Sequence, residues 1–167
     1  MSPAVPILLI SGAIAAIYFT TLKKVVNAAQ NLRYQLTRVQ WYRVDDPLVF
    51  RVWIDFANLA STEIIIQKIY LDIFLNFGTV DKPDLQRIAT VNPGKSITLA
   101  ANRTEERAFD VEVRLMSLGV TAFKMFRDKI SGGSVNFPTS AIVKGEIQVE
   151  NFSIPVETEC PFDTSQI

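Results

Sequence analysis

Residues 48–56 read LVFRVWIDF and alternate between two kinds of side chain. The apolar positions on one side of an extended chain are Leu48, Phe50, Val52, Ile54 and Phe56. Arg51, Trp53 and Asp55 fall on the other side. A period of two is typical of a β-strand with one face in a core and the other toward solvent. This stretch therefore predicts a half-buried strand, around which the rest of the chain can be arranged.

Similar alternation recurs along the chain between turn signals. Further strands are predicted at residues 32–43, 64–77, 85–91, 96–101, 108–115, 143–149 and 152–156. Helical spacing replaces the strand period at residues 118–130, which predicts one short helix. About seven strands separated by turns, without the strand–helix alternation of a parallel sheet, indicate a mainly β fold: an antiparallel Ig-like β-sandwich.

The N-terminal residues 4–22 read AVPILLISGAIAAIYFTTL and contain no charged side chain. Nineteen residues in a helix span roughly 28 Å, close to the ~30 Å hydrocarbon core of a bilayer. The run therefore predicts a transmembrane anchor. Its expected lipid-facing residues are Ile7, Leu8, Leu9, Ile10, Ile14, Ile17 and Phe19. Three alternatives stay open: a signal peptide cleaved after Ala15, a buried core helix, and a helix sheathed by other chains.

Lys23 and Lys24 end this run and are expected to contact lipid headgroups. By the positive-inside rule, they predict a single-pass protein whose C-terminal domain faces the cytoplasm in a bacterial inner membrane. The expected organisation is an anchor with a juxtamembrane helix (1–30), a β-sandwich (31–157) and a loose polar tail (158–167).

Composition excludes several classes of function. The 167 residues carry 17 basic and 17 acidic side chains, no histidine and one cysteine. The balanced charge argues against nucleic-acid binding, because no basic cluster marks one element. The lack of histidine removes the common catalytic triads and most transition-metal sites. No cofactor, metal or small-molecule substrate is expected, and Cys160 is interpreted as a spectator thiol in the tail.

Residues 89–96 read ATVNPGKS and fit the loosest form of a phosphate-binding loop. That chemistry needs a helix beginning near Lys95, whose amides cradle phosphate. The following residues, Ile97, Thr98 and Leu99, are strand-like instead. Pro93 and Gly94 are explained by a type II turn. Nucleotide binding is thus the least favoured alternative.

The order of these elements resembles the water-stress and hypersensitive-response (WHy) domain of late embryogenesis abundant (LEA) group 2 proteins. The resemblance covers residues 32–157. It is carried by the strand at 48–56 ending in Phe56-Ala57-Asn58, the run IIIQKIYLDI at 64–73, the helix at 118–130, and the closing segments VKGEI (143–147) and FSIPV (152–156). It implies a small antiparallel sandwich without catalytic residues, found in cell-protective and membrane-tethered proteins.

Two tryptophans are the candidate interface residues. Trp53 lies on the polar side of its strand, and Trp41 belongs to the aromatic pair Trp41-Tyr42. An exposed tryptophan can anchor a protein contact, although packing under a neighbouring element explains it equally well. The sequence favours a non-enzymatic structural protein that contacts membrane lipid and other subunits of an assembly. An envelope complex or the shell of a membrane-containing virus fits, with a virion preferred; a stand-alone stress-protective domain is the alternative.

Overall fold

The computed structural model describes residues 30–43 and 45–165, and all statements on structure below concern these residues. The fold is mainly β, with eight strands and one α-helix, as the alternation predicts. The strands are β1 (Leu32–Arg43), β2 (Leu48–Asn58), β3 (Ile64–Asn76), β4 (Leu85–Val91), β5 (Ile97–Leu99), β6 (Arg103–Val113), β7 (Ser140–Val149) and β8 (Phe152–Asp163). A 3-10 turn at Leu115–Ser117 precedes helix α1 (Val120–Ile130).

The strands form one curled sheet in the order β4-β3-β7-β8-β1-β2-β6, and β5 also pairs with β3. This corrects the expected sandwich of two purely antiparallel sheets. The strands β4-β3-β7-β8 and the strands β1-β2-β6 are each antiparallel. A short parallel pairing between β1 and β8 joins these two groups, with Val39 opposite Phe162 and Gln40 opposite Asp163. The sheet curls because β8 continues beyond its pairing with β7 and reaches β1.

Strand β2 confirms the predicted alternation and supplies the centre of the core. Its even-numbered side chains from Leu48 to Phe56 are all fully buried, whereas Arg51, Trp53 and Asp55 are half-buried on the opposite face. Burying one such apolar side chain contributes about 1.5–3 kcal/mol. The face with the even numbers is called inner below, and the face with Arg51 and Trp53 is called outer.

Helix α1 closes one end of the curled sheet. It begins at Val120 rather than at the predicted residue 118. Gly119, whose backbone is extended, is its N-cap. Ala122 and Phe126 are its buried residues. Phe126 packs edge-on against Trp41, with ring centroids 4.6 Å apart. Phe50, Phe137 and Phe162 complete this aromatic cluster.

Two strands extend well beyond their predicted bounds. The strand predicted at 108–115 begins earlier, because β6 starts at Arg103 and the polar residues 103–106 pair with the end of β2. The tail was expected to loosen after Glu157, but β8 runs to Asp163 because Cys160 and Phe162 are buried in the core. Glu157 and Glu159, the exposed residues just before Cys160, mask this alternation in the sequence.

No helix in residues 30–43 and 45–165 is long and apolar enough to cross a bilayer. The predicted anchor at 4–22, its seven lipid-facing residues, and Lys23 and Lys24 all lie outside the described residues.

Candidate contact surface

The outer face of β1, β2 and β6 carries an unusual set of large side chains. Register fixes their arrangement: Arg51 on β2 lies between Gln40 on β1 and Asp110 on β6. One row further along, Trp53 lies between Arg38 and Ala108. Side chains at opposing positions point to the same face of a sheet, so these rows form one surface.

Arg51 is the most connected residue of this surface. Its Nε donates to Oδ1 of Asp110 at 2.6 Å, and a terminal nitrogen donates to Oδ2 at 2.8 Å. The hydrogen bond from Arg51 lowers the pKa of the Asp110 carboxyl below its ordinary value, and the same bond raises the pKa of Arg51. The guanidinium also lies 4.1 Å from the ring centroid of Tyr42, which is 49% exposed.

Trp53 lies between two guanidinium groups. That of Arg38 is 4.7 Å from its ring centroid, and that of Arg51 is 5.9 Å away. The indole Nε1 is shielded from solvent, and no acceptor for it exists among the described residues. Cation–π attraction from both guanidinium groups restrains the ring in its position.

Tyr42, Arg51, Trp53, Arg38 and Asp110 are together called the outer-face cluster. Tryptophan, tyrosine and arginine are the residues that most often dominate binding energy in protein interfaces. In this cluster the ion pair and the cation–π contacts hold the side chains in fixed positions before any partner arrives. A surface whose side chains are already ordered loses less entropy on binding. The arrangement is suited to contact with another protein.

The structure separates the two tryptophans that the sequence grouped as interface candidates. Trp53 is at the centre of the outer-face cluster. Trp41 is fully buried, and its Nε1 donates to the carbonyl of Arg43 at 2.7 Å. Its expected role at an interface is therefore wrong, because Trp41 is on the inner face of β1 and belongs to the aromatic core.

The sequence did not single out the other members of this cluster. Arg51 and Asp110 are each predicted outward by the period of their own strands, but the pairing of β2 with β6 is needed to bring them together. Arg38 follows an irregularity in register between Leu36 and Arg38, which changes the side of the strand it occupies. The sequence pattern that indicates such a cluster is an aromatic residue on the solvent side of a strand with arginines near it on the same side.

The alternative chemical sites lack the geometry they need. No group of acidic or cysteine side chains that could hold a metal ion exists among the described residues. The residues after Lys95 form strand β5 instead of a helix, so the loop at 89–96 has no helix N-terminus for phosphate. Gly94 has a φ of +64°, as a turn glycine does. Cys160 is buried, and this burial raises the pKa of its thiol to about 11.

Comparison with known proteins assigns no family. No protein-family model matches the chain, and no curated protein matches it. Among solved structures, a protein from Archaeoglobus fulgidus is similar over 77% of this chain and 89% of its own, with 9% identity and a TM-score of 0.44.

Two further solved structures are similar at the same level. A candidate late embryogenesis abundant protein matches over 93% of this chain and 88% of its own, at 14% identity and a TM-score of 0.40. A candidate ApaA protein from Bordetella pertussis matches over 81% of this chain and 95% of its own, at 14% identity and a TM-score of 0.39. With every TM-score below 0.5, these neighbours assign neither a family nor a function.

Proposed function

We propose that this chain is a non-enzymatic interaction protein: a subunit of a membrane-associated assembly that contacts a neighbouring protein through the outer-face cluster. The observation that carries the proposal is Trp53, a large aromatic side chain on the outer face of a sheet, held between Arg38 and Arg51. The solvated face of an antiparallel sheet ordinarily carries polar side chains. The proposal includes no cofactor, nucleic acid or small-molecule substrate.

The uncharged run at residues 4–22 supports a single-pass membrane anchor for this subunit. The chain enters the fold at Leu32, which pairs with Asn58 at the end of β2. Trp53 is five residues along β2 from that end, or roughly 17 Å at a strand rise of ~3.3 Å per residue. A domain anchored at this end presents the cluster sideways, toward a neighbour held in the same membrane. The lysines after the run favour a cytoplasmic domain in a bacterial inner membrane.

The contact surface is tested with the full-length chain in detergent, where mass measurement detects a defined oligomer or a co-purifying protein. Trp53→Ala is expected to weaken that association at least tenfold. Tyr70→Ala is the matched control, because Tyr70 on β3 also faces outward beside a cation, Lys68, 5.7 Å from its ring centroid. Equal loss in both variants, or association unchanged by Trp53→Ala, contradicts the proposed surface.

The anchor needs its own test. Ile10→Glu combined with Ile14→Glu places two charges inside the uncharged run, and we expect the protein to leave the membrane fraction on alkaline extraction. Retention of this variant would exclude a lipid-spanning role for residues 4–22.

A stand-alone stress-protective domain tethered to the membrane is the alternative function. It is supported by the resemblance of residues 32–157 to the WHy domain. A strictly monomeric full-length protein in detergent favours this alternative. A virion is the narrower form of the assembly proposal, and it requires the partner that co-purifies to be a shell protein.

A further inference from the structure

Strands β4 and β6 are the two end strands of the curled sheet, and they face each other. Residues 87–93 and 108–114 border the gap between them, which is called the seam below. Two cavities of about 360 and 330 Å³ lie along it. Cα atoms of the two strands approach within 8 Å. In the described part of the chain, however, no strand pairing or backbone hydrogen bond connects β4 with β6.

Other free edges of the sheet carry features that block pairing with a further strand. Strand β8 contains Pro155 and Pro161, which donate no backbone hydrogen bond. Strand β4 has a shift in register between Arg87 and Ala89. The first half of β6 places the ion pair of Glu105 and Arg107 on its inner face. Prolines, bulges and inward charges are the usual protection of edge strands.

The second half of β6, Ala108–Val113, has none of these features. It contains no proline, and it pairs with β2 without a register shift. Its inner-face residues Phe109, Val111 and Val113 are apolar but only half-buried, although they pack against the core. This segment is therefore a regular, apolar edge that the fold leaves open.

The outer side of the same segment carries Asp110 and Glu112. Asp110 is neutralised by Arg51, whereas Glu112 has no ion-pair partner among the described residues. A second copy of β6 is a poor occupant, because antiparallel self-pairing centred on Phe109, Asp110 or Val111 sets acid opposite acid. Like charges directly opposite each other destabilise a strand pair.

We propose that an extended segment of a partner protein, alternating apolar and basic side chains, pairs with β6 along Ala108–Val113 and fills the seam. Its apolar side chains cover Phe109, Val111 and Val113, and its basic side chains lie opposite Asp110 and Glu112. Six residues span roughly 20 Å in a strand. A strand between two others needs about 9.6 Å, so the edges must part by a small distance. Edges without mutual hydrogen bonds can do so.

The test uses the full-length protein and a fluorescent peptide of alternating lysine and valine, about seven residues long. We expect saturable binding, and hydrogen exchange of the backbone amides at 108–113 is expected to slow in its presence. Glu112→Lys is expected to weaken the peptide about threefold to tenfold and to strengthen a glutamate–valine peptide. Glu63→Lys is the matched control, because Glu63 is an exposed acid in the loop before β3 and does not line either cavity of the seam.

Three results would overturn the proposal. The first is binding without slower exchange at 108–113, and the second is an equal effect of Glu63→Lys. The third is slow exchange at 108–113 in a homodimer without peptide, since this would make a second copy the occupant. Trp53→Ala distinguishes this proposal from the proposed function. The variant is expected to lose the outer-face contact but to keep peptide binding, because the Ala108–Val113 edge stays intact.

Discussion

Arg51 and Asp110 are joined across β2 and β6 by two parallel hydrogen bonds, and this pair borders both surfaces to which binding is assigned. The side chains are 26% and 47% exposed, so water screens much of their attraction. The pair therefore orders the surface more than it stabilises the fold. It fixes the guanidinium that lies beside Tyr42 and Trp53.

The first prediction concerns this pair. Asp110→Asn is expected to lower the free energy of unfolding by about 0.5–1 kcal/mol at neutral pH. Because the pKa of Asp110 is lowered in the folded state, its stabilisation is present above the unfolded value of about 3.9 and is lost as pH falls through the folded value. Urea unfolding at neutral pH and near pH 3 measures the difference in free energy of unfolding between the original protein and Asp110→Asn. This difference should be smaller at the lower pH. A difference independent of pH would contradict an ionic origin.

The second prediction concerns Asn58, a fully buried polar residue at the end of β2. Its amide nitrogen lies 2.9 Å from the carbonyl oxygen of Thr62 and 3.1 Å from those of Leu99 and Ala100. Its Oδ1 accepts from the backbone amide of Ala60 at 2.9 Å. Asn58→Ala removes the side-chain partner of these backbone groups inside the core, and we expect the free energy of unfolding to fall by about 2–4 kcal/mol.

Asn76→Ala is the control for Asn58. Its Oδ1 accepts from two backbone amides, those of Gly78 and Asp84, at 3.0 Å each, but Asn76 is only half-buried at the end of β3. Because water can replace these bonds, the expected loss is about 0.5–1.5 kcal/mol. Thermal unfolding of both variants checks this. Equal losses of stability would mean that the burial of Asn58 does not strengthen the contribution of its hydrogen bonds.

Local periodicity was enough to find most elements of the fold. The strand at 48–56 is recognisable because every second position from Leu48 to Phe56 is apolar, while Arg51 and Asp55 lie between them. The last strand was cut short at Val156 because Glu157 and Glu159 suggested a solvated tail. Cys160 and Phe162 are buried there only because β8 reaches β1. That contact depends on the curl of the whole sheet and has no local signature.

The outer-face cluster was predictable only in part, for the same reason. Trp53 was a candidate from the period of its own strand. Its neighbours depend on register, which follows from long-range pairing of β1, β2 and β6. Trp41 was misjudged because adjacent aromatic residues give no indication of which one faces inward. The irregularities in β1 between Leu36 and Arg38 and between Trp41 and Arg43 shift that assignment.

The third prediction concerns Cys160. Burial raises the pKa of its thiol to about 11, with a smaller contribution from the charge of Glu159. At pH 8 its thiolate fraction is then roughly 0.001, compared with roughly 0.2 for an ordinary thiol. We expect a maleimide to label the native protein at least about 100-fold more slowly than the urea-unfolded chain. Comparable rates would contradict a buried thiol in β8.

The same group predicts how stability changes at alkaline pH. The unfolded thiol ionises near its ordinary pKa of about 8.5, while the folded thiol keeps its proton until about pH 11. The stability that the protonated thiol contributes is thus complete below the lower value and is lost as pH rises toward the higher one. Cys160→Ala should remove this part of the pH dependence in urea titrations at pH 8 and pH 10, although it loses some packing.

The fourth prediction concerns Gly145 on β7, which lies opposite Leu71 on β3. A Cβ atom at this position would lie 2.0 Å from the carbonyl oxygen of Tyr70 and 2.9 Å from the Cα of Leu71. Both are backbone atoms of a strand paired on two sides, so they cannot move away without breaking sheet hydrogen bonds. Gly145→Ala is therefore expected to lower the free energy of unfolding by about 3 kcal/mol or more.

Gly94→Ala is the control for Gly145→Ala, because Gly94 has a φ of +64° but nothing within 4 Å of its Cβ position. Backbone strain alone should cost about 1 kcal/mol there. Gly145 also has a positive φ, +157°, so both variants add backbone strain, and the excess loss at Gly145 in chemical unfolding measures the steric clash. Equal losses would contradict the close approach of β3 and β7.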